Sequence, residues 1–224
     1  MGLHAIPEFL PSRHGFHFAN RWPSTPAFWW GAGLVRLGLG DAARGLCGGM
    51  AFAVRDRFER GTAPPTDTVP PAAGTPLFDE IAHRQLDSFD RLVVVPFRFW
   101  RMSAQAPDGR LRASSAAWPA IRGEVDAGHL AMLGLVRAEG WNPFVTGMGH
   151  QVVGYRYAES GDRISIGIYD PNHPDRDDVE LVVGRSADGT VALSQSTGEP
   201  VLGLLHLPFI RLGDAPPPAD AGHA

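Results

Sequence analysis

The chain carries one cysteine, Cys47, in the stretch Gly45-Leu46-Cys47-Gly48-Gly49-Met50. The nucleophilic form of a cysteine is the thiolate, which is favoured where unpaired backbone N–H groups and the positive end of a helix dipole face the sulfur. The residues that follow predict such a helix. Met50, Ala51, Val54 and Phe58 recur at helical spacing, Arg55, Asp56, Glu59 and Arg60 fill the other face, and Gly61 can end it. Farther along stand Gly149-His150-Gln151 and Tyr169-Asp170-Pro171-Asn172. A lone cysteine followed by a histidine and then an aspartate or asparagine is the set that nucleophilic acyl transfer requires. The thiolate attacks a carbonyl, the imidazole moves the proton, and the third group orients the imidazole.

These groups can act only if the chain brings them together. Gln151 to Tyr157 and Ile164 to Tyr169 are β-rich, with Glu159-Ser160-Gly161-Asp162 as a turn between them. A hairpin centred on Ser160 and Gly161 sets His150 opposite Asp170. It also puts His150, Val152 and Gly154 on one face with Ile164, Ile166, Ile168 and Asp170. A register change of one residue leaves Asp170 diagonal to His150 and still within reach. Asn172 is the competing orienter, since its amide oxygen can accept the same N–H. An oxyanion needs donors, and the Cys47 backbone N–H at the helix start is one. Asn20, Gln85 and Gln151 are the side-chain amides available for the second. Gln85 shares a helical face with Phe78, Ile81, Ala82 and Phe89, so it is expected to point inward.

Elsewhere the chain divides into helices first and strands second, which predicts an α+β fold. Residues 1 to 40 are aromatic and glycine-rich without clear periodicity, and His14 to Pro23 reads as a packed irregular segment. The proline-rich stretch 62–76 reads as a loop. Helices are expected from Leu77 to about Phe89 and after Ser115, the latter with Pro119 near its first turn and Gly128 past its end. Leu130 to Val136 is a buried strand by its apolar run, and Val179 to Val183, Val191 to Ser194 and Leu204 to Arg211 complete an antiparallel sheet. One domain over 1–213 and a disordered tail over 214–224 follow from this pattern.

Composition narrows the function further. The net charge of −4 gives no case for nucleic acid or an anionic membrane surface. No apolar run approaches the ~20 residues of a membrane span. Met1 to Glu8 lacks the basic and apolar regions of a secretory signal, so a cytoplasmic location is expected. There is no lysine, which excludes Schiff-base, pyridoxal-phosphate and P-loop chemistry. His4, His14 and His17 lack zinc-ligand spacing, and Gly31, Gly33, Gly38 and Gly40 fail the dinucleotide fingerprint. The acidic run Asp170, Asn172, Asp175, Asp177 and Asp178 lacks the glycine and terminal glutamate of an EF-hand and reads as a solvated loop. Neither metal nor cofactor is expected, and the sequence leaves the oligomeric state open.

At Gly45 to Met50, Gly149 to Tyr155 and Ile168 to Asn172, the chain resembles papain-like cysteine peptidases, most of all the bacterial enzymes that cleave double-glycine leader peptides. The resemblance spans about Asn20 to Asp178. It implies a papain-like α+β fold and hydrolysis or transfer of an acyl group through a thioester, with a peptide or small amide or ester as substrate. It also favours Asn20 as the second oxyanion donor, because such enzymes place that donor upstream of the nucleophile. Those peptidases carry a glutamine shortly before the cysteine, whereas Gly40-Asp41-Ala42-Ala43-Arg44 has none. The alternative is therefore a catalytically silent papain-like domain that binds a protein or ligand.

Overall fold

Helix-forming and strand-forming segments are segregated along the chain, and the molecule is accordingly of mixed α+β class. The computed structural model describes residues 2–30, 37–90, 94–140, 149–185 and 191–212. The elements run β1 (Leu3–Ala5), α1 (Pro11–His14), β2 (Phe28–Trp30), β3 (Leu37–Leu39), a 3-10 turn (Ala42–Arg44) and α2 (Cys47–Glu59). Then come α3 (Pro76–Asp87), α4 (Val94–Ser103), α5 (Pro107–Asp126), β4 (Ala131–Val136), β5 (Gly149–Ser160), β6 (Arg163–Tyr169), β7 (Glu180–Arg185), β8 (Val191–Gln195) and β9 (Gly203–His206). The tail expected at 214–224 lies outside the described residues.

The sheet is antiparallel in the order β8-β7-β6-β5-β4-β9. The partners of β4 on β5 end at Gly154, and beyond them β1 takes over, with Leu3–Ala5 against Arg156–Ala158. Strand β4 is buried along its whole length, as its unbroken apolar run requires. Helix α2 packs on both α3 and β5, and α5 lies against β4, β5 and β9.

Three expectations need correction. Helix α2 is not amphipathic, since every residue from Gly48 to Asp56 is buried. Its charged pair Arg55 and Asp56 is sunk with partners: Arg55 reaches Glu59 at 2.8 Å and Glu124 at 3.0 Å, and Asp56 lies 2.7 Å from Arg84 Nε. Helix α5 starts at Pro107, so Pro119 falls inside it. The Ala- and Ser-containing run before Pro119, led by a proline at the first turn and Asp108, carries the helix past the missing N–H. The last strand is shorter than 204–211 and stops at His206. The helix Val94–Ser103 was not anticipated.

The β5–β6 hairpin holds the most consequential difference. Ser160 pairs with Arg163, Ala158 with Ser165 and Arg156 with Gly167, which is not the register of a turn centred on Ser160 and Gly161. A β-bulge then intervenes, and beyond it Gly154 pairs with Ile168 and Val153 with Tyr169. Carried straight through, the register near the turn would set Asp170 opposite Val153, on the face away from His150. The extra residue at Tyr155 shifts β5 by one step, so that His150, Val152 and Gly154 share the face of Ile168 and Asp170. Among the described residues no helix is long and apolar enough to cross a membrane.

The α2–α3 contact generates a test. A Cβ on Gly49 would collide with the carbonyl oxygen of Ile81, whereas one on Gly123, exposed in α5, would meet nothing. Gly49→Ala is expected to destabilise the fold by about 1–3 kcal/mol or more. Gly123→Ala should stabilise it by about 0.5–1 kcal/mol, as the ordinary helix-interior effect. Urea unfolding midpoints of the two variants read the difference, and equal effects would refute the close approach.

Candidate active site

Leu46 occupies the N-cap of α2 and offers no side-chain acceptor, so the first N–H groups of the helix must find partners elsewhere. The Leu46 N–H donates to Asn20 Oδ1 at 2.6 Å. The Gly49 N–H donates to Gln85 Oε1, on α3, at 2.8 Å. The Gly48 N–H donates to the Cys47 sulfur. That leaves the Cys47 N–H, which has no hydrogen-bond acceptor among the described residues. The glycines around Cys47 make room for this. Gly45 has φ +88°, and a Cβ there would lie 2.7 Å from Asn20 Nδ2; a Cβ on Gly48 would run into Ser88 and Gln151.

Strand β5 crosses directly in front of the helix start. The Gln151 N–H donates to Cys47 Sγ at 3.4 Å, and the His150 ring hydrogen-bonds the same sulfur. His150 Nε2 lies 2.7 Å from Asp170 Oδ1, so Nδ1 is the nitrogen left for Cys47. Asp170 is 1% exposed and fully engaged. Its Oδ1 also accepts the Asn172 N–H at 2.9 Å, and its Oδ2 accepts from Gln195 Nε2 at 2.8 Å with Arg137 at 3.7 Å. Gln195 in turn accepts from Arg137 at 2.7 Å through its Oε1.

The electrostatics follow from these contacts. Burial pushes the Cys47 thiol up, but the hydrogen bond and charge of His150, with the Gln151 and Gly48 N–H groups, bring it below its ordinary value. Burial disfavours protonated His150, yet the charge and hydrogen bond of Asp170, reinforced by Cys47, raise its pKa to about 10. Asp170 is pushed up by burial and pulled down further by His150, Asn172 and Gln195, to about 2. At neutral pH His150 is thus an imidazolium and Asp170 a carboxylate, and the pair draws Cys47 toward its thiolate form.

The expected residues meet with different roles. Cys47, His150, Asn20 and Asn172 line one cleft of about 240 Å³, together with Arg44 and Arg137. Asn20 is oriented by its bond to Leu46, which turns its NH₂ group toward Asn172 Oδ1 at 3.3 Å and the cleft. Asn172 does not orient His150 by its side chain; its backbone N–H holds Asp170. Gln85 is no oxyanion donor, because its oxygen caps α2 from behind. Gln151 contributes its backbone N–H, while its side chain donates to Ser88.

The acidic run is not simply solvated. Asp177 accepts from Ser12 N–H and Oγ at 2.8 and 2.7 Å, and His17 lies 2.5 Å from Asp175. Together with the Asn20 N–H on the Pro171 carbonyl, these bonds dock the N-terminal segment onto the loop after β6. Arg137 and Gln195 were missed, since a lone Arg after one strand and a Gln ending another carry no motif. A larger cleft of about 570 Å³, with Asp56, Glu59, Arg60 and His129 in its lining, opens at the other end of α2. That end is about 20 Å from Cys47 along the helix and offers no nucleophile. Among the described residues no group of three His, Cys, Asp or Glu side chains is placed to hold a metal ion.

The ion pair makes stability depend on pH in a defined sense. The pKa of His150 is raised from 6.5 to about 10, so its contribution is complete below about 6.5 and is lost as pH climbs through 10. That of Asp170 is lowered from 3.8 to about 2, so its contribution is present above about 3.8 and is lost as pH falls toward 2. The destabilisation by Asp170→Asn, read from urea unfolding, should therefore peak between about pH 4 and 6.5 and shrink on both sides. A penalty flat in pH would show that the two groups do not titrate as a pair. Comparison with known proteins leaves the geometry to speak for itself: no protein-family model, no curated protein and no solved structure matches the chain.

Proposed function

We propose that the protein is a papain-like cysteine hydrolase or acyltransferase acting on a peptide or a small amide or ester. One observation carries the reading. A half-buried thiol at a helix start, an imidazole bonded to it and to a buried carboxylate, and an open backbone N–H beside a carboxamide all converge on one cleft. Cys47 Sγ attacks the carbonyl carbon, the S–C bond forms, and the π electrons move onto oxygen. The Cys47 N–H and the Asn20 NH₂ stabilise that oxyanion. Its collapse breaks the bond to the leaving amine or alkoxide, which takes the proton from the His150 imidazolium. Water or an amine then adds to the thioester, His150 accepts its proton, and the Cys47 thiolate leaves. Asp170 holds the imidazole in register and compensates its charge throughout. The lone free thiol fits a reducing, cytoplasmic setting.

The first test is the rate of Cys47 alkylation by iodoacetamide from pH 4 to 10 in wild type and in His150→Ala. A reactive plateau extending well below the ~8.5 of a free thiol, and lost in the variant, is expected. An ordinary thiol titration unchanged by the substitution would overturn the proposal in favour of a silent binding domain.

Acylation by 4-nitrophenyl acetate, which leaves an acetyl thioester on Cys47 and releases nitrophenolate, tests the oxyanion donors. Asn20→Ala should slow acylation by about 10²-fold. It should slow alkylation, which develops no oxyanion, far less. Equal losses in the two reactions would remove Asn20 from that role.

A further inference from the structure

We infer that the substrate carries an anionic group, a carboxylate, within a few bonds of the scissile carbonyl, and that Arg44 recognises it with Arg137 beneath. This inference rests on the acyl-transfer reading. Among the described residues the ionisable groups lining the cleft are Cys47, His150, Arg44 and Arg137, with no carboxylate, and Asp170 is sealed below. Asp170 is met by two cations, His150 at 2.7 Å and Arg137 at 3.7 Å, and Cys47 lies against His150. Arg44 is the remainder. It closes the 3-10 turn just before the nucleophile and is exposed; its backbone N–H donates to the Asp41 carbonyl, but its guanidinium makes no hydrogen bond or ion pair with the described residues. Asp41, three residues before it, feels its charge but already accepts from Ala43, Thr25 and Ser24.

Arg137 is a fixed cation by contrast. Its guanidinium is held by the Pro200 carbonyl at 3.0 Å and by Gln195 at 2.7 Å, and its side chain is 12% exposed. Two of its five N–H groups serve these bonds, so donors remain for a group in the cleft. An exposed arginine and a fixed one lining the same cleft are a binding arrangement for a carboxylate, whose two oxygens match the guanidinium fork. A cleft of about 240 Å³ holds one such small acyl group rather than a long stretch of chain.

Iodoacetate and iodoacetamide provide the probe. Both alkylate by the same step, in which the S–C bond forms, the C–I bond breaks and iodide leaves with the electron pair. They differ only in carboxylate against carboxamide. The ratio of their rate constants on Cys47 should exceed one in wild type at low salt, fall about three- to tenfold in Arg44→Gln, and recover in Arg44→Lys. Added salt should erode the wild-type ratio and leave that of Arg44→Gln nearly unmoved. His150 attracts iodoacetate equally in all three proteins, so the change isolates residue 44. An unchanged ratio in Arg44→Gln, with the low-pH alkylation plateau intact, overturns the anion inference and leaves the acyl-transfer reading standing. Absence of the plateau in wild type overturns both.

Discussion

A helix start buried beneath a strand cannot leave its N–H groups without partners, and at α2 the residue at the cap is a leucine with nothing to offer. Much of the molecule near the site is arranged around that deficit. The N-terminal segment comes back across the loop after β6 to present Asn20 to Leu46, and α3 approaches closely enough for Gln85 to reach Gly49. The approach of α3 demands glycine at position 49, and the seat of Asn20 demands glycine at position 45. The Cys47 sulfur takes the Gly48 N–H itself, and the Cys47 N–H is left without an acceptor among the described residues. Solving the capping problem with distant side chains instead of a local serine or aspartate thus yields, in the same stroke, a thiol of lowered pKa and a vacant donor beside it.

The second constraint is parity. A strand points alternate side chains to opposite faces, so His150 and Asp170 can meet only if their strands are in the right phase. The pairing that leaves the turn has the wrong phase, and one extra residue at Tyr155 reverses it. Tyr155 is itself buried and bonds the Asp177 carbonyl through its hydroxyl, which ties the bulge to the loop that holds Ser12. The bulge, the loop and the docked N-terminal segment therefore fix the geometry of the candidate site together.

What could be read from the sequence follows from how local each signal is. The start of α2 at Cys47, the burial of β4 and the existence of the β5–β6 hairpin rest on patterns within a dozen residues, and all three stand. The bulge left no mark, because Gly154-Tyr155-Arg156 is as compatible with an even ladder as with a broken one. The His–Asp pair was nonetheless anticipated, since an assumed turn with the wrong register and an unrecognised bulge offset each other in parity. The burial of Arg55 and Asp56 was illegible for a different reason. A charged residue on a helix reads as solvent-facing until its partners are known, and those partners, Glu124 and Arg84, come from other helices. Gln195 and Arg137 belong to the same class of tertiary signal.

The cost of the charged floor bears on what it is for. The imidazolium of His150, the carboxylate of Asp170 and the guanidinium of Arg137 lie together with little exposure beside Cys47, and buried charges of this kind contribute little to stability once their lost hydration is counted. Apolar side chains of similar volume would hold β5, β6 and β8 together at least as well. A domain that only offered a surface to a partner would have no use for a cysteine perturbed downward and a histidine perturbed upward on the two sides of one hydrogen bond. The proposed nucleophile would use them: His150 draws the Cys47 pKa down, Asp170 keeps the imidazolium charged, and His150, with the Asn172 N–H and Gln195, holds Asp170 ionised. The guanidinium of Arg137, 3.7 Å from Asp170, also lines the cleft, so on the proposed reading the groups around Cys47 favour a substrate of negative charge.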